Sequence, residues 1–198
     1  IKQGAYILTS MIQTTRGCPF SCSFCSVSKF FGTTYRTRPV EAIIKEIREA
    51  RSKFVGFLDD NVFGSPSYAR KLFEALQREK IIWMGQSSLN ITRDREMMKL
   101  AERSGCKGLF IGLESVSHTS LNEMNKKFLR PDDFKDQIKI LHDHGIGILG
   151  AFVLGFDSDD ETIFERTLDF AKKIGLDLAQ FAILTPYPGT AVFQKMVR

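Results

Sequence analysis

Residues 54–61 read Phe54-Val55-Gly56-Phe57-Leu58-Asp59-Asp60-Asn61: an apolar, strand-like segment running straight into two carboxylates and an amide. The same pattern recurs along the chain. Short apolar runs predict strands at residues 11–15, 54–59, 81–87, 109–114, 147–155 and 178–185. Nearly all end in polar residues: Gln86-Ser87-Ser88, Glu114-Ser115, Asp157, and Thr185 before Pro186. Between them lie helical stripes: Val40, Ile43, Ile44 and Ile47; Ala69, Leu72, Phe73 and Leu76; Phe134, Ile138 and Leu141; Ile163, Thr167, Phe170 and Ile174. Repeated strand–helix units with short connections imply an α/β fold with parallel strands and right-handed crossovers. Six strands allow an open doubly wound sheet or a partial (β/α) barrel. In such folds the C-terminal strand ends share one rim, where sites form. With the cysteine-rich stretch that follows the first strand, functional groups at the ends of all six strands favour a barrel mouth over a single switch-point crevice.

Local punctuation agrees. Pro39, Pro66 and Pro131 stand at helix starts, where a missing N–H costs nothing. Ser65 is expected to cap the second helix, Thr92 a later one, and Ser158 with Glu161 has capping-box spacing. Gly145 and Gly175 follow helices at positions that want a positive φ.

Composition narrows the class. The 198 residues are 43% hydrophobic and 26% charged, which excludes wholesale disorder. No apolar run reaches the roughly 18 residues of a membrane span. The net charge of +5 comes from scattered basic residues rather than a nucleic-acid-binding block, so no nucleic-acid partner is expected. The first ten residues do not read as a signal peptide. With no initiator methionine, the chain is expected to be one domain, residues 1–198, cut from a longer protein.

Three of the four cysteines crowd into Cys18-Pro19-Phe20-Ser21-Cys22-Ser23-Phe24-Cys25. In a well-cored protein such crowding points to a metal or redox site in a reducing compartment, hence the cytoplasm. Three thiolates in one loop can converge on a metal centre. A [4Fe–4S] cube takes four cysteines in its usual form, so three leave one iron open. Zinc would need a fourth ligand from His118, His142 or His144, none of them near in sequence. A dithiol formed by Cys22 and Cys25 leaves Cys18 unexplained. Cys106 stands alone and reads as a small buried hydrophobe.

The x3, x2 cysteine loop after a first strand, with aromatic Phe24 just before the last cysteine, resembles the radical S-adenosylmethionine superfamily. The resemblance runs from about Met11 to Thr190. It implies a partial (β/α)6 barrel with outer helices, TIM-barrel-like, and a [4Fe–4S] cluster on Cys18, Cys22 and Cys25. It further implies that S-adenosylmethionine chelates the open iron and is cleaved to a 5′-deoxyadenosyl radical that takes hydrogen from a small-molecule substrate. An electron donor such as a flavodoxin or ferredoxin would reduce the cluster. The segment that meets the methionine ammonium in this family corresponds to Asp59, Asp60 and Asn61, although the family pattern there is Gly-Gly-Glu-like. Gln86 and Ser88 are candidates for the methionine or ribose. Glu114, ending a buried-looking strand, needs a partner and could bind a ribose or an ammonium. Lys126 matches the family's basic residue for the cofactor carboxylate, and Gly150 lies in the adenine-packing segment. Gly145 to Gly150 also satisfies G-x-G-x-x-G, but it follows a helix and opens a strand, the wrong context for a dinucleotide. Likewise, Asn90-Ile91-Thr92 fits a glycosylation acceptor but is more simply a loop.

A longer signature narrows the branch: Thr15-Arg16-Gly17-Cys18-Pro19-Phe20, Tyr35-Arg36-Thr37-Arg38-Pro39-Val40-Glu41, Leu58-Asp59-Asp60-Asn61, and Leu184-Thr185-Pro186-Tyr187-Pro188-Gly189-Thr190. It is similar to enzymes that carry a cobalamin-binding domain upstream of the barrel, including methyltransferases of hopanoids and bacteriochlorophyll precursors. Cobalamin, if used, is expected to bind outside this chain. The alternatives are a methylthiotransferase, or a non-catalytic iron–sulfur or zinc module, which would have no use for polar strand ends.

Overall fold

A computed structural model describes residues 10–32 and 34–197. Six strands form one parallel sheet: β1 (Ser10–Ile12), β4 (Phe54–Phe57), β5 (Ile82–Ser87), β6 (Cys106–Glu114), β7 (Gly147–Leu154) and β8 (Leu178–Ile183). They lie side by side in chain order, so every crossover joins neighbours, and the sheet is the partial barrel expected. β2 (Thr15–Arg16) and β3 (Arg36–Thr37) form a separate antiparallel ribbon.

Helices cover the convex face: α2 (Val40–Ala50), α3 (Pro66–Leu76), α4 (Arg95–Arg103), α6 (Pro131–Asp143) and α7 (Ile163–Lys173). Short α1 (Val27–Phe30), α5 (His118–Glu123) and α8 (Ala191–Met196) belong to the loops of the mouth. The helical stripes bury as their spacing requires: Ile43, Ile44 and Ile47 on α2, Ala69, Leu72, Phe73 and Leu76 on α3. Trp83 of β5 is the largest fully buried side chain, packed on Phe57 and Phe73 at 5.3 and 5.0 Å between centroids. Its indole N–H donates to Ser104 Oγ at 3.0 Å, so burial leaves no polar atom orphaned.

Some local expectations change. The first strand stops at Ile12 rather than residue 15, because Asp59 captures the next turn. Ser65 stands at the N-cap of α3 but makes no capping bond; its hydroxyl faces Ser67 Oγ at 3.4 Å. Asp94, not Thr92, caps α4, accepting from Met97 N at 2.9 Å, while Thr92 closes a 3-10 turn onto Leu89 O. Ser158 forms no capping box: its hydroxyl donates to Glu123, and Asp160 accepts from Thr162. Gly145 and Gly175 do adopt positive φ, 63° and 75°. Among the described residues, no helix is long and apolar enough to cross a membrane.

Candidate active site

Side chains alternate across each strand. Even-numbered residues of β5, β6 and β8, and odd-numbered ones of β7, face the concave side. At the C-terminal rim they meet the cysteine loop around a cavity of 270 Å³. Cys18, Phe20, Cys22, Phe24 and Cys25 form one wall; Asp60, Asn61, Gln86, Ser88, Glu114 and Lys126 supply the polar groups. The further lining residues include Phe110, Gly112, Ala151, Val153, Gln180 and Ala182, none of them a candidate on sequence grounds. Their signal is strand alternation alone.

The cysteine loop is held at both ends. At its start, Gly17 has φ 94°, and a Cβ there would lie 2.7 Å from Thr34 O, so only glycine fits. Asp59 is buried and accepts from the backbone N–H and hydroxyl of both Thr14 and Thr15. It anchors the loop from below and does not line the cavity. Further along, Ser23 N donates to Met124 O at 3.0 Å and Ser23 Oγ to Glu123 O at 3.1 Å. Asn125, at a left-handed φ of 59°, reaches Ser21 O at 3.0 Å.

Within the cavity, Asp60 is the carboxylate of its segment that faces inward. Its Oδ2 is buried with no hydrogen-bond partner. Burial raises its affinity for a proton; the Gly17 N–H opposes this, and Asp59 adds to it. A ligand ammonium would satisfy that atom. Asn61 is engaged locally, Oδ1 accepting from Phe63 N at 3.1 Å and its carbonyl from Tyr35 Oη at 2.7 Å.

Glu114 finds the partner its burial demands in Lys126, Nζ to Oε1 2.5 Å, with both side chains largely shielded. A register shift in β6 puts Glu114 at φ 67°, a strained conformation for a residue with a Cβ. Lys126 Nζ also lies 5.9 Å from the Phe24 ring centroid. Burial works against its charge, but Glu114, Cys22 and Cys25 hold the ammonium above the ordinary lysine range. Burial raises the Cys22 thiol to about 11 and Cys18 as well, so bare thiolates are unfavourable there without added positive charge.

The donor set suits an iron–sulfur cluster better than zinc. All three histidines are engaged elsewhere, His118 with Asp132, His142 with Asp177 and His144 with Glu102. Among the described residues no three cysteine, histidine or acidic side chains converge on one ion. The three thiols do line one cavity. Gly150 is not among the lining residues: a Cβ there would meet Leu176 at 2.8 Å on the convex side, while its neighbour Ala151 faces the cavity. Cys106 is fully buried in the core, as expected.

Residues 12–171 match the family described as the Radical SAM superfamily. The chain belongs to it. Radical SAM members use a [4Fe–4S] cluster and S-adenosylmethionine, and both are cofactors of this core. It is 35% identical over 191 residues to bacteriochlorophyllide d C-12(1)-methyltransferase of Chlorobaculum tepidum, covering 93% of this chain and 42% of that enzyme. It is 31% identical to the anaerobic magnesium-protoporphyrin IX monomethyl ester cyclase of Cereibacter sphaeroides, covering 91% and 31%. The radical SAM methyltransferase TsrM of Kitasatospora setae, solved with cobalamin and a [4Fe–4S] cluster bound, shares the fold. Its TM-score is 0.83 at 17% identity, over 92% of this chain and 38% of that one. The chain thus spans less than half the length of these relatives.

Proposed function

We propose that this radical SAM core serves a cobalamin-associated, methyltransferase-like enzyme acting on a small molecule, in the cytoplasm. The observation that carries the reading is the single cavity shared by three cysteines, an inward carboxylate with an unpaired oxygen, and a shielded lysine–glutamate pair. Cys18, Cys22 and Cys25 hold the cluster. Bound together, cluster and cofactor supply a carbon radical able to take a hydrogen atom from substrate.

The chain's own groups bind and orient. Asp60, beside Asn61, receives the cofactor ammonium; Asp59 holds the loop that makes this possible. Lys126 balances the thiolate charge beside Cys22 and Cys25 and offers a cation to the cofactor carboxylate. Glu114, Gln86 and Ser88 supply acceptors and donors for the ribose and methionine, and Phe24 shields the cysteine loop. The segment after Gly150, through Ala151 and Val153, packs the adenine. Cobalamin binds outside this chain, and a flavodoxin or ferredoxin delivers the electron.

Anaerobic reconstitution with iron and sulfide tests the ligand set. Cys18→Ala, Cys22→Ala and Cys25→Ala are each expected to abolish the brown cluster absorbance, and Cys106→Ala to keep it. A cluster that survives any of the first three, or needs Cys106, overturns the assignment. Dithionite and S-adenosylmethionine should then yield 5′-deoxyadenosine from the unaltered chain.

A further inference from the structure

The concave face of the sheet continues beyond the cofactor cavity, and there it is apolar. Register and alternation place Met11, Phe54, Leu58, Ile82 and Met84 on this face, each between 39% and 52% exposed. A contiguous group of large exposed apolar side chains marks a binding surface. At the β1 edge this floor meets a different chemistry. The β2–β3 ribbon sets Arg16 directly opposite Arg36. Like charges directly opposite destabilise a strand pair unless something between them offsets the repulsion.

Arg38, two residues on, is already neutralised: it donates to Gln13 O at 2.8 Å and to Glu46 Oε2 at 2.6 Å. Among the described residues, Arg16 donates only to the neutral Gln13 Oε1, at 2.9 Å. Arg36 has no side-chain partner among the described residues. Both line a pocket of 520 Å³ whose apolar members are Met11 and Leu58. Leu58 in turn stands two residues before Asp60, on the wall of the cofactor cavity. The basic pocket, the apolar floor and the cavity therefore follow one another along the concave face.

We propose that Arg16 and Arg36 bind the acid group of an apolar substrate, a carboxylate or phosphate, whose body lies along Met11, Leu58 and Met84 toward the cofactor cavity. The guanidinium fork matches such oxyanions with paired hydrogen bonds. An acid fixed at the β1 edge decides which carbon of the body reaches the cavity, so the pair sets regiochemistry without touching the reacting atoms. This rests on the reading that the core acts on a small molecule.

The test uses two fluorescent probes of like shape on the full, cluster-loaded chain: 1-anilinonaphthalene-8-sulfonate and its uncharged counterpart N-phenyl-1-naphthylamine. The sulfonate is expected to bind at least tenfold more tightly, with an advantage that shrinks as salt is raised. Arg36→Gln, which breaks no side-chain contact, and the double variant with Arg16→Gln should erase that advantage while the uncharged probe binds as before. Dodecanoate and dodecyl phosphate, competing against the bound sulfonate, rank the two acids. Equal affinity for the two probes, an advantage that persists in the variants, or displacement by neither amphiphile overturns the proposal; the first and last outcomes need no variant to fold. Formation of 5′-deoxyadenosine by the unaltered chain reads the radical chemistry separately.

Discussion

Asp59 and Asp60 are adjacent carboxylates with opposite roles. Asp59 accepts from Thr14 and Thr15 while buried, so its charge is satisfied within the protein. Asp60 keeps an unpaired oxygen toward the cavity. Asp59→Ala would leave several buried donors unmet, at a cost of about 3–5 kcal/mol by the usual magnitude for a broken buried charged network. Urea denaturation should show that loss, whereas Asp60→Ala should leave stability nearly unchanged. Glu114 carries a different signature, a left-handed φ beside a shielded lysine. Removing its carboxylate strands Lys126, so Glu114→Ala should destabilise by about 3 kcal/mol or more. Glu114→Gly loses the same carboxylate but relieves the backbone, and should be about 1 kcal/mol more stable than the alanine variant. Equal stabilities would show that the φ is unstrained. The sequence named Asp59, Asp60 and Asn61 as a set, yet nothing in it distinguishes the anchor from the inward carboxylate. That depends on where Thr14 and Thr15 turn, a contact across 44 residues.

At the scale of elements, the mouth is tied together by two tyrosines. Tyr35 donates to Asn61 O at 2.7 Å, and Tyr68 to Arg38 O at 2.8 Å, linking the cysteine-loop ribbon to the β4 end and α3. Burial pushes both phenols up to about 12 from the ordinary 10.0. Between these values the folded chain keeps protons that the unfolded chain has lost. Stability from these groups is therefore full below pH 10 and falls as pH rises toward 12. Urea midpoints measured across that range should decline, and Tyr35→Phe with Tyr68→Phe should flatten the decline. The long strands and α2, α3, α6 and α7 were legible because their apolar periods are clean. α4 was not: Met97, Met98, Leu100 and Ala101 bury among charged neighbours, and Thr92 looked like its cap until the preceding turn used that hydroxyl. The β2–β3 ribbon is two residues per strand, too short for any period to announce. The cysteine spacing, by contrast, marked one wall of the cavity directly, because those ligands are contiguous in sequence.

At the scale of the whole molecule, β8 has one edge unpaired among the described residues, and all six residues of that strand are exposed. Gln180 and Ala182 face the cavity, so Ala179, Phe181 and Ile183 point to the convex side, where Phe181 stacks on Phe152 at 5.6 Å. On α7 the flank opposite Phe170 carries exposed Phe164 and Leu168. An open strand edge beside exposed apolar side chains is a template for pairing with another copy. The 198-residue chain should therefore self-associate at micromolar concentration, with a sedimentation coefficient that rises with loading. Charges placed on this face, Ile183→Lys with Leu168→Glu, should return it to a monomer, because burying them against a second copy would cost more than the apolar contact contributes. The cysteine loop lies at the mouth, so iron loading of that variant should match the unaltered chain. A chain already monomeric at high concentration, or a variant that still associates, would show that the convex face of β8 is not the adhesive surface.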